Sequence, residues 1–220
     1  MERNYFTTDN DLIQKLGIKR MNSSIDHFFK YITDKNDQQK FISKFTKQFK
    51  YSENPKIHFL HTLHELALGA YLSSSGLRVK HEHPLNRKKP DWSIFDANSN
   101  IIGIVELANL EIDEESAIEI KNQLNIRGHA NYWQDSHHDN TKRLYSRVVE
   151  KADKYKGLVS DLNLFYFIAV FTAFEMKIYE DELYPYLFNE TNGIFIEHPE
   201  VNSFFLIEEN SPYYIFHTLI

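Results

Sequence analysis

Hydrophobic and polar residues follow one another in patterns that predict helices at the start of the chain. Residues 1–54 are mostly polar, and their apolar residues recur at helix-like steps, which predicts a helical N-terminal extension. Residues 57–74 have a helical pattern, and residues 66–72 within them are apolar on almost every side, which is typical of a buried helix. Pro55 suits the start of this helix and Gly76 suits its end. The extension also carries lysines that form either a basic surface or an ordinary solvated helix face, namely Lys30, Lys35, Lys40, Lys44, Lys47 and Lys50.

Strand-like patterns follow this buried helix. Three strands are predicted over residues 77–83, 91–96 and 101–108, with a basic turn at 84–89 and a second turn at 97–100. An acidic helix is predicted next, over 111–124, followed by a polar His-rich loop over 127–140 and a helix over 141–157 that is capped by Gly157. A strand over 162–174 comes after it, and the chain ends with a hairpin of strands 203–208 and 213–217. The order helix, three strands, helix, strand predicts an α/β protein with a mixed β-sheet flanked by helices.

The absence of a repeat or of a Pro/Gly-rich linker favours a single domain. Within it we predict a helical extension over 1–54, an α/β core over 55–175, and a C-terminal extension over 176–220 whose hairpin packs on the core.

Composition narrows the classes of function. The 220 residues carry a net charge of -6, so any nucleic-acid binding needs a local basic patch rather than an overall basic field. No cysteine is present, which excludes disulfides and thiolate metal sites and fits a cytoplasmic protein. No apolar stretch reaches the ~20 residues of a membrane helix, and the N-terminus lacks the apolar core of a signal peptide. We therefore expect a cytoplasmic protein that does not contact a membrane.

One carboxylate interrupts the most apolar of the predicted strands. In the stretch GIVELANL, Glu106 shares a strand face with Ile104 and Ala108, and a buried carboxylate is costly unless it is paired or binds a metal. Asp91 opens the preceding strand, and antiparallel pairing of the two strands would place it beside Glu106. Neighbouring carboxylates repel each other, and a divalent cation is the common remedy.

A third acid stands in the buried helix, where Glu65 is the only acidic residue of 57–74. Together with Asp91 and Glu106 it would form a set of hard oxygen ligands, for which Mg²⁺ (or Mn²⁺) is the natural ion. Such an ion would hold a phosphodiester and activate a water molecule for attack. The alternative is that each acid is an ordinary strand-end or helix-surface residue.

The three acids and their neighbours form a pattern that resembles a known protein family. Glu65, Pro90-Asp91 and Glu106-Leu107-Ala108, in this order of elements over about residues 57–174, are similar to the PD-(D/E)xK nuclease superfamily, which has the restriction-endonuclease-like fold. The resemblance implies a Mg²⁺-dependent endonuclease that acts on DNA in restriction, repair or phage defence. It implies that Asp91 and Glu106 are metal ligands and that Glu65 is an accessory acid. It also implies a homodimer.

The chain departs from the family at one position. Ala108 stands where the family usually has a lysine that positions the attacking water or stabilises charge. One explanation is a lysine supplied from elsewhere: Arg147, Lys151 and Lys154 fall on one side of the helix predicted over 141–157, with Lys151 the first choice and Lys154 the second. The other explanation is a catalytically inactive nuclease-like domain that binds protein or nucleic acid.

Two further groups of residues suggest chemistry. The basic turn Arg87-Lys88-Lys89 directly precedes Pro90-Asp91, so it either holds a phosphate backbone or only aids solubility. His61 and His64, spaced i and i+3, could bind zinc together with a carboxylate, which leaves a zinc hydrolase as a third hypothesis. His81 and His83 are predicted on one face of a strand, near the surface.

Overall fold

The computed structural model of the chain describes residues 18–51, 55–110, 122–123, 126, 137–172, 180–210 and 213–218. The chain divides into two compact units, Met1–Val105 and Glu106–Ile220. The helices are α1 (Ile18–Phe29), α2 (Lys35–Tyr51), α3 (Pro55–Ser74), α4 (His137–Leu162), α5 (Glu180–Phe188) and α6 (Ile194–Glu197). The strands are β1 (Arg78–His81), β2 (Trp92–Phe95), β3 (Ile101–Leu110), β4 (Phe165–Thr172), β5 (Ser203–Asn210) and β6 (Tyr213–Thr218).

Helix α3 forms the core of the first unit, as the apolar pattern predicts. It begins at Pro55, and Gly76 just beyond it has a φ of +86° that suits glycine, so both predicted boundaries are confirmed. Helix α2 packs against α3, with the rings of Phe45 and Phe59 5.1 Å apart. At Gly69 a Cβ atom would lie only 1.9 Å from the Trp92 side chain, so glycine is what lets this indole approach the helix.

Strands β1, β2 and β3 form two antiparallel pairs, which confirms the three predicted strands with shorter bounds for the first two. β1 ends at His81 because Glu82 adopts a φ of +48°, outside the range of a strand. β3 is longer than predicted and reaches Leu110, passing through the boundary between the two units at Val105.

The second unit corrects two predicted boundaries. Helix α4 begins at His137, so the end of the predicted loop over 127–140 is helical, while residues 127–136 and nearly all of the predicted helix over 111–124 lie outside the described residues. The helix also continues through Gly157 to Leu162. Gly157 is exposed and tolerated inside the helix, and Asn163, with a φ of +50°, takes the left-handed conformation that ends it.

The strands of the second unit combine both directions of pairing. β4 and β5 are parallel, whereas β5 and β6 form the antiparallel hairpin that the sequence predicts. The protein is therefore α/β with a mixed sheet and flanking helices. Among the described residues, no helix has the length and apolar character needed to cross a membrane.

Candidate functional site

The carboxylate that interrupts β3 is completely buried and is bound by two ammonium groups. Glu106 has 0% of its side chain exposed, and its Oε2 accepts hydrogen bonds from Lys151 Nζ at 3.0 Å and from Lys154 Nζ at 2.9 Å. We call these three residues the Glu106 cluster. Both hydrogen bonds are charge-assisted, so they offset the cost of burying the carboxylate.

Helix α4 holds the two lysines in place through its packing on β4. Ala152 and Tyr155 lie on the buried side of the helix, and the Tyr166 hydroxyl donates a hydrogen bond to the carbonyl oxygen of Lys151. Residues three apart share a helix face, so Lys154 points the same way as Lys151. The side chain of Lys151 is 22% exposed and that of Lys154 is 44% exposed. The cluster therefore reaches solvent through its cations while its carboxylate does not.

Two of the three basic residues singled out on this helix contact Glu106. Lys151 and Lys154, proposed as substitutes for the missing family lysine, both reach Glu106. Arg147 instead pairs with Glu150 on the helix surface at 3.0 Å, and both side chains are exposed. Ala108, two residues beyond Glu106 on β3, is buried. The catalytic roles of these residues stay predictions.

The placement predicted for Asp91 depends on antiparallel pairing of β2 with β3, and this pairing is confirmed. Trp92 pairs with Val105 at the end of this ladder, and Asp91 lies immediately before Trp92 in the chain. Asp91 is half-buried, and its carbonyl oxygen accepts a hydrogen bond from the Glu82 N–H at 3.1 Å.

The third predicted acid belongs to a different network in the first unit. Glu65 Oε2 accepts hydrogen bonds from Lys44 Nζ at 2.8 Å and from His81 Nε2 at 3.1 Å. Lys44 Nζ also forms an ion pair with Glu82 Oε1 at 2.8 Å. We call these four residues the Glu65 cluster. Lys44 therefore bridges the two carboxylates of the cluster.

The electrostatics of the Glu65 cluster follow from burial and pairing. Burial raises the pKa of Glu65, but the hydrogen bond from His81 and the charge of Lys44 outweigh burial and lower the pKa to about 2. Burial lowers the pKa of Lys44, whereas Glu65 and Glu82 raise it, and the net shift is upward. Glu65 and Lys44 therefore stay ionised across the neutral range.

His81 corrects a prediction from the sequence. It is 0% exposed rather than near the surface, because it packs against the rings of Phe41 on α2 and Trp92 on β2. The sequence also missed the partners of Lys40 and Lys44: Lys40 Nζ donates to the His81 carbonyl at 2.7 Å and Lys44 Nζ donates to Glu65 Oε2 at 2.8 Å. Their i, i+4 spacing beside Phe41 was the available signal, since it places both lysines at the edge of the apolar helix face.

The remaining candidate residues lie on the turn after β1 and on α3. Arg87, Lys88 and Lys89 are exposed on a turn in which the backbone of Lys88 bonds to that of Leu85 in both directions, at 2.9 and 3.0 Å. His64 on α3 is buried. Within the described ranges, no group of three or more His, Asp and Glu residues has the arrangement of a metal site.

Comparisons with known proteins add no relative. No protein-family model, curated protein or solved structure matches the chain.

Proposed function

We propose that the chain is a Mg²⁺-dependent endonuclease with a restriction-endonuclease-like fold, which hydrolyses phosphodiester bonds in DNA. The observation that supports this most is the Glu106 cluster. It pairs the buried acid of the family-like strand β3 with lysines from the following helix, and these lysines supply the positive charge that Ala108 lacks.

In this proposal Asp91 and Glu106 are the metal ligands, the roles that the resemblance implies. Their chemistry suits the ion, because Mg²⁺ prefers carboxylate oxygens. When bound, Mg²⁺ supplies Lewis-acid activation of the phosphodiester and of the attacking water. Glu65 as an accessory ligand is a weaker part of the proposal, because its Oε2 is already bound by Lys44 and His81.

In this proposal the lysines of the Glu106 cluster contribute to catalysis through their positive charge. The two ammonium groups bring positive charge to a partly exposed position. Such a charge would stabilise the negative charge that develops on the phosphodiester oxygens. Arg87, Lys88 and Lys89, which are exposed, and Arg147, on the surface of α4, are the residues we assign to the DNA backbone.

A DNA-cleaving enzyme without cysteine fits the cytoplasm, and we place it there. A homodimer, which the resemblance implies, is part of the same proposal.

The test is cleavage of plasmid, linear duplex and single-stranded DNA with Mg²⁺ or Mn²⁺. We expect the parent to cleave, and we expect Asp91→Ala and Lys151→Ala to lose about 10²–10³-fold in rate, as removal of one electrostatic stabiliser commonly does. Lys156→Ala is the matched control, because Lys156 lies exposed on the same helix. Equal rates in the parent and Asp91→Ala would exclude the metal site.

A second candidate is favoured by the same cluster. The two lysines neutralise Glu106 without any metal ion, as a structural ion-pair network does. The chain would then be a catalytically inactive nuclease-like domain that binds protein or nucleic acid. This candidate predicts no Mn²⁺ binding by calorimetry, and it predicts that Asp91→Asn leaves the binding function unchanged.

A further inference from the structure

The outer edge of β1 has a defined set of backbone hydrogen-bonding groups. The Glu82 N–H donates to the Asp91 carbonyl, so in the β1–β2 register every second residue of β1 exchanges hydrogen bonds with β2. Val79 and His81 are the residues between, and their N–H and C=O groups point away from β2. β1 thus offers two pairs of outward backbone groups.

One of these pairs is covered by the protein itself. The His81 N–H donates to Asp37 Oδ2 at 2.9 Å, and the His81 carbonyl accepts from Lys40 Nζ at 2.7 Å. No such cover is found for Val79 among the residues that the structure describes. An edge strand with open backbone groups is a template for another strand.

A groove of about 590 Å³ lies along this open half of β1. Val79 lines it together with the apolar side chains of Tyr31, Ile32 and Leu77, which come from the α1–α2 turn and from the residue before β1. Tyr31 and Leu77 are among the exposed large hydrophobic residues of the protein. The groove therefore combines open backbone groups with apolar contact surface.

The charge of the groove is positive, although the whole chain is acidic. Arg78 and Lys80 line it and are exposed. Among the described residues that line it, the only carboxylate is that of Asp34, whose Oδ1 already accepts the N–H groups of Asn36 and Asp37 at the start of α2. An acidic ligand matches this surface better than a neutral or basic one.

The groups of the groove on which a nucleobase could stack are already engaged in other contacts. The Phe95 ring is already contacted by His83, edge-on at 5.2 Å, and by Lys80 Nζ at 5.4 Å. The Arg78 guanidinium donates to the carbonyls of Asp96 and Ala97, both at 3.0 Å. A nucleobase would have to displace these contacts in order to stack, whereas a peptide backbone would not.

We propose that the open half of β1 is a docking site for an extended acidic segment of another protein, which adds to the sheet as a strand beside Val79. Its N–H and C=O groups bond to those of Val79. Because strand side chains alternate, acidic residues face Arg78 and Lys80 while apolar residues face Tyr31 and Leu77. The ligand class is thus a peptide in which acidic and apolar residues alternate.

The experiment is fluorescence anisotropy with a fluorescein-labelled peptide of alternating Glu and Val, seven residues long. Its matched probes are the Lys/Val peptide, the same Glu/Val peptide with alternate backbone nitrogens methylated, and a labelled oligothymidine. Val79→Pro removes only the outward N–H, and proline is tolerated on edge strands. Val79→Thr keeps this N–H and is the control. Lys80→Glu reverses the groove charge, with Lys47→Glu, on exposed α2 surface, as its control.

We expect the Glu/Val peptide to bind, and we expect Val79→Pro and Lys80→Glu each to weaken binding about tenfold or more, whereas both controls bind as the parent does. Backbone methylation should weaken binding likewise. Equal affinity of Val79→Pro and Val79→Thr, no binding up to about 1 mM, or a preference for the Lys/Val peptide or oligothymidine would overturn the proposal. So would a dimer that Val79→Pro dissociates in ultracentrifugation, because the occupant would then be a second copy of the chain.

Discussion

Replacing both lysines of the Glu106 cluster by methionine tests whether they stabilise the buried carboxylate together. Methionine keeps an apolar stem of similar length, so the packing of α4 should change little. The carboxylate of Glu106, with 0% exposure, would lose both ammonium groups and could not recover the water that it gave up on folding. We therefore expect the double variant to lose more free energy of unfolding than the sum of the losses of Lys151→Met and Lys154→Met.

The burial of Glu106 and the partial exposure of the two lysines set the sizes of these effects. A hydrogen bond to a charged group contributes about 1.5–3 kcal/mol, but Lys151 and Lys154 are partly exposed, so screening reduces each single loss to about 1 kcal/mol. Removing the cations that compensate a buried charge costs about 3–5 kcal/mol. The double variant should thus lose about 1–3 kcal/mol more than the two single variants predict.

The assay is urea unfolding followed by circular dichroism, with the free energy of unfolding taken by linear extrapolation. With a slope near 2 kcal/mol/M, a loss of about 4 kcal/mol moves the midpoint by about 2 M. Lys156→Met is the control for losing an exposed lysine of the same helix. Adding Glu106→Gln to the double variant should recover much of the loss, because it removes the buried charge.

The reasoning would be refuted if the losses of the two single variants simply added to give that of the double variant. It would also be refuted if Glu106→Gln recovered nothing in the double-methionine background. Either result would mean that the lysines do not compensate the carboxylate as a pair.

Three further predictions concern the first unit and α4. The pKa of Glu65 is about 2 in the folded protein, below its ordinary value of 4.5. Ionised Glu65 therefore contributes about 3 kcal/mol to the free energy of unfolding above pH 4.5, and this contribution is lost as the pH falls toward 2. Urea unfolding at several pH values between 2 and 6 should show the free energy of unfolding falling with pH in the parent and much less in Glu65→Gln. An equal dependence on pH in the two proteins would contradict the prediction. Gly69→Ala should lower the melting temperature strongly, because its Cβ would overlap a buried indole. Gly157→Ala, in open space inside a helix, should raise stability by about 0.5–1 kcal/mol, and a loss there would contradict the helical assignment.

The elements that carry a strong hydrophobic pattern were predictable from the sequence. The apolar run of α3 and the proline and glycine at its ends located the helix closely. β3 was located because five apolar residues precede Glu106. The buried carboxylate itself could be recognised as unusual, since charged residues in such runs need a partner. The C-terminal hairpin followed from two strand patterns around a Pro-containing turn.

What the sequence could not supply was the choice among partners that several residues offered. Lys151 and Lys154 reach Glu106 while Arg147 does not, because packing on Tyr166 fixes which side of α4 faces inward. His81 was placed near the surface because a short strand between polar residues resembles an exposed one. Its burial depends on the distant helix α2, whose Phe41 covers it. The end of α4 was missed because Gly157 is a weaker stop than the left-handed Asn163.

The most direct test of the central claim is the rate of plasmid cleavage by Glu106→Gln with Mn²⁺, measured beside the parent at a temperature where both are folded. If Glu106 is a metal ligand of a nuclease, the parent cleaves and the variant loses about 10²-fold or more, although glutamine occupies nearly the same volume. If Glu106 serves only to bind Lys151 and Lys154, the variant cleaves as fast as the parent, and that result would contradict the assignment of this buried carboxylate to the active site.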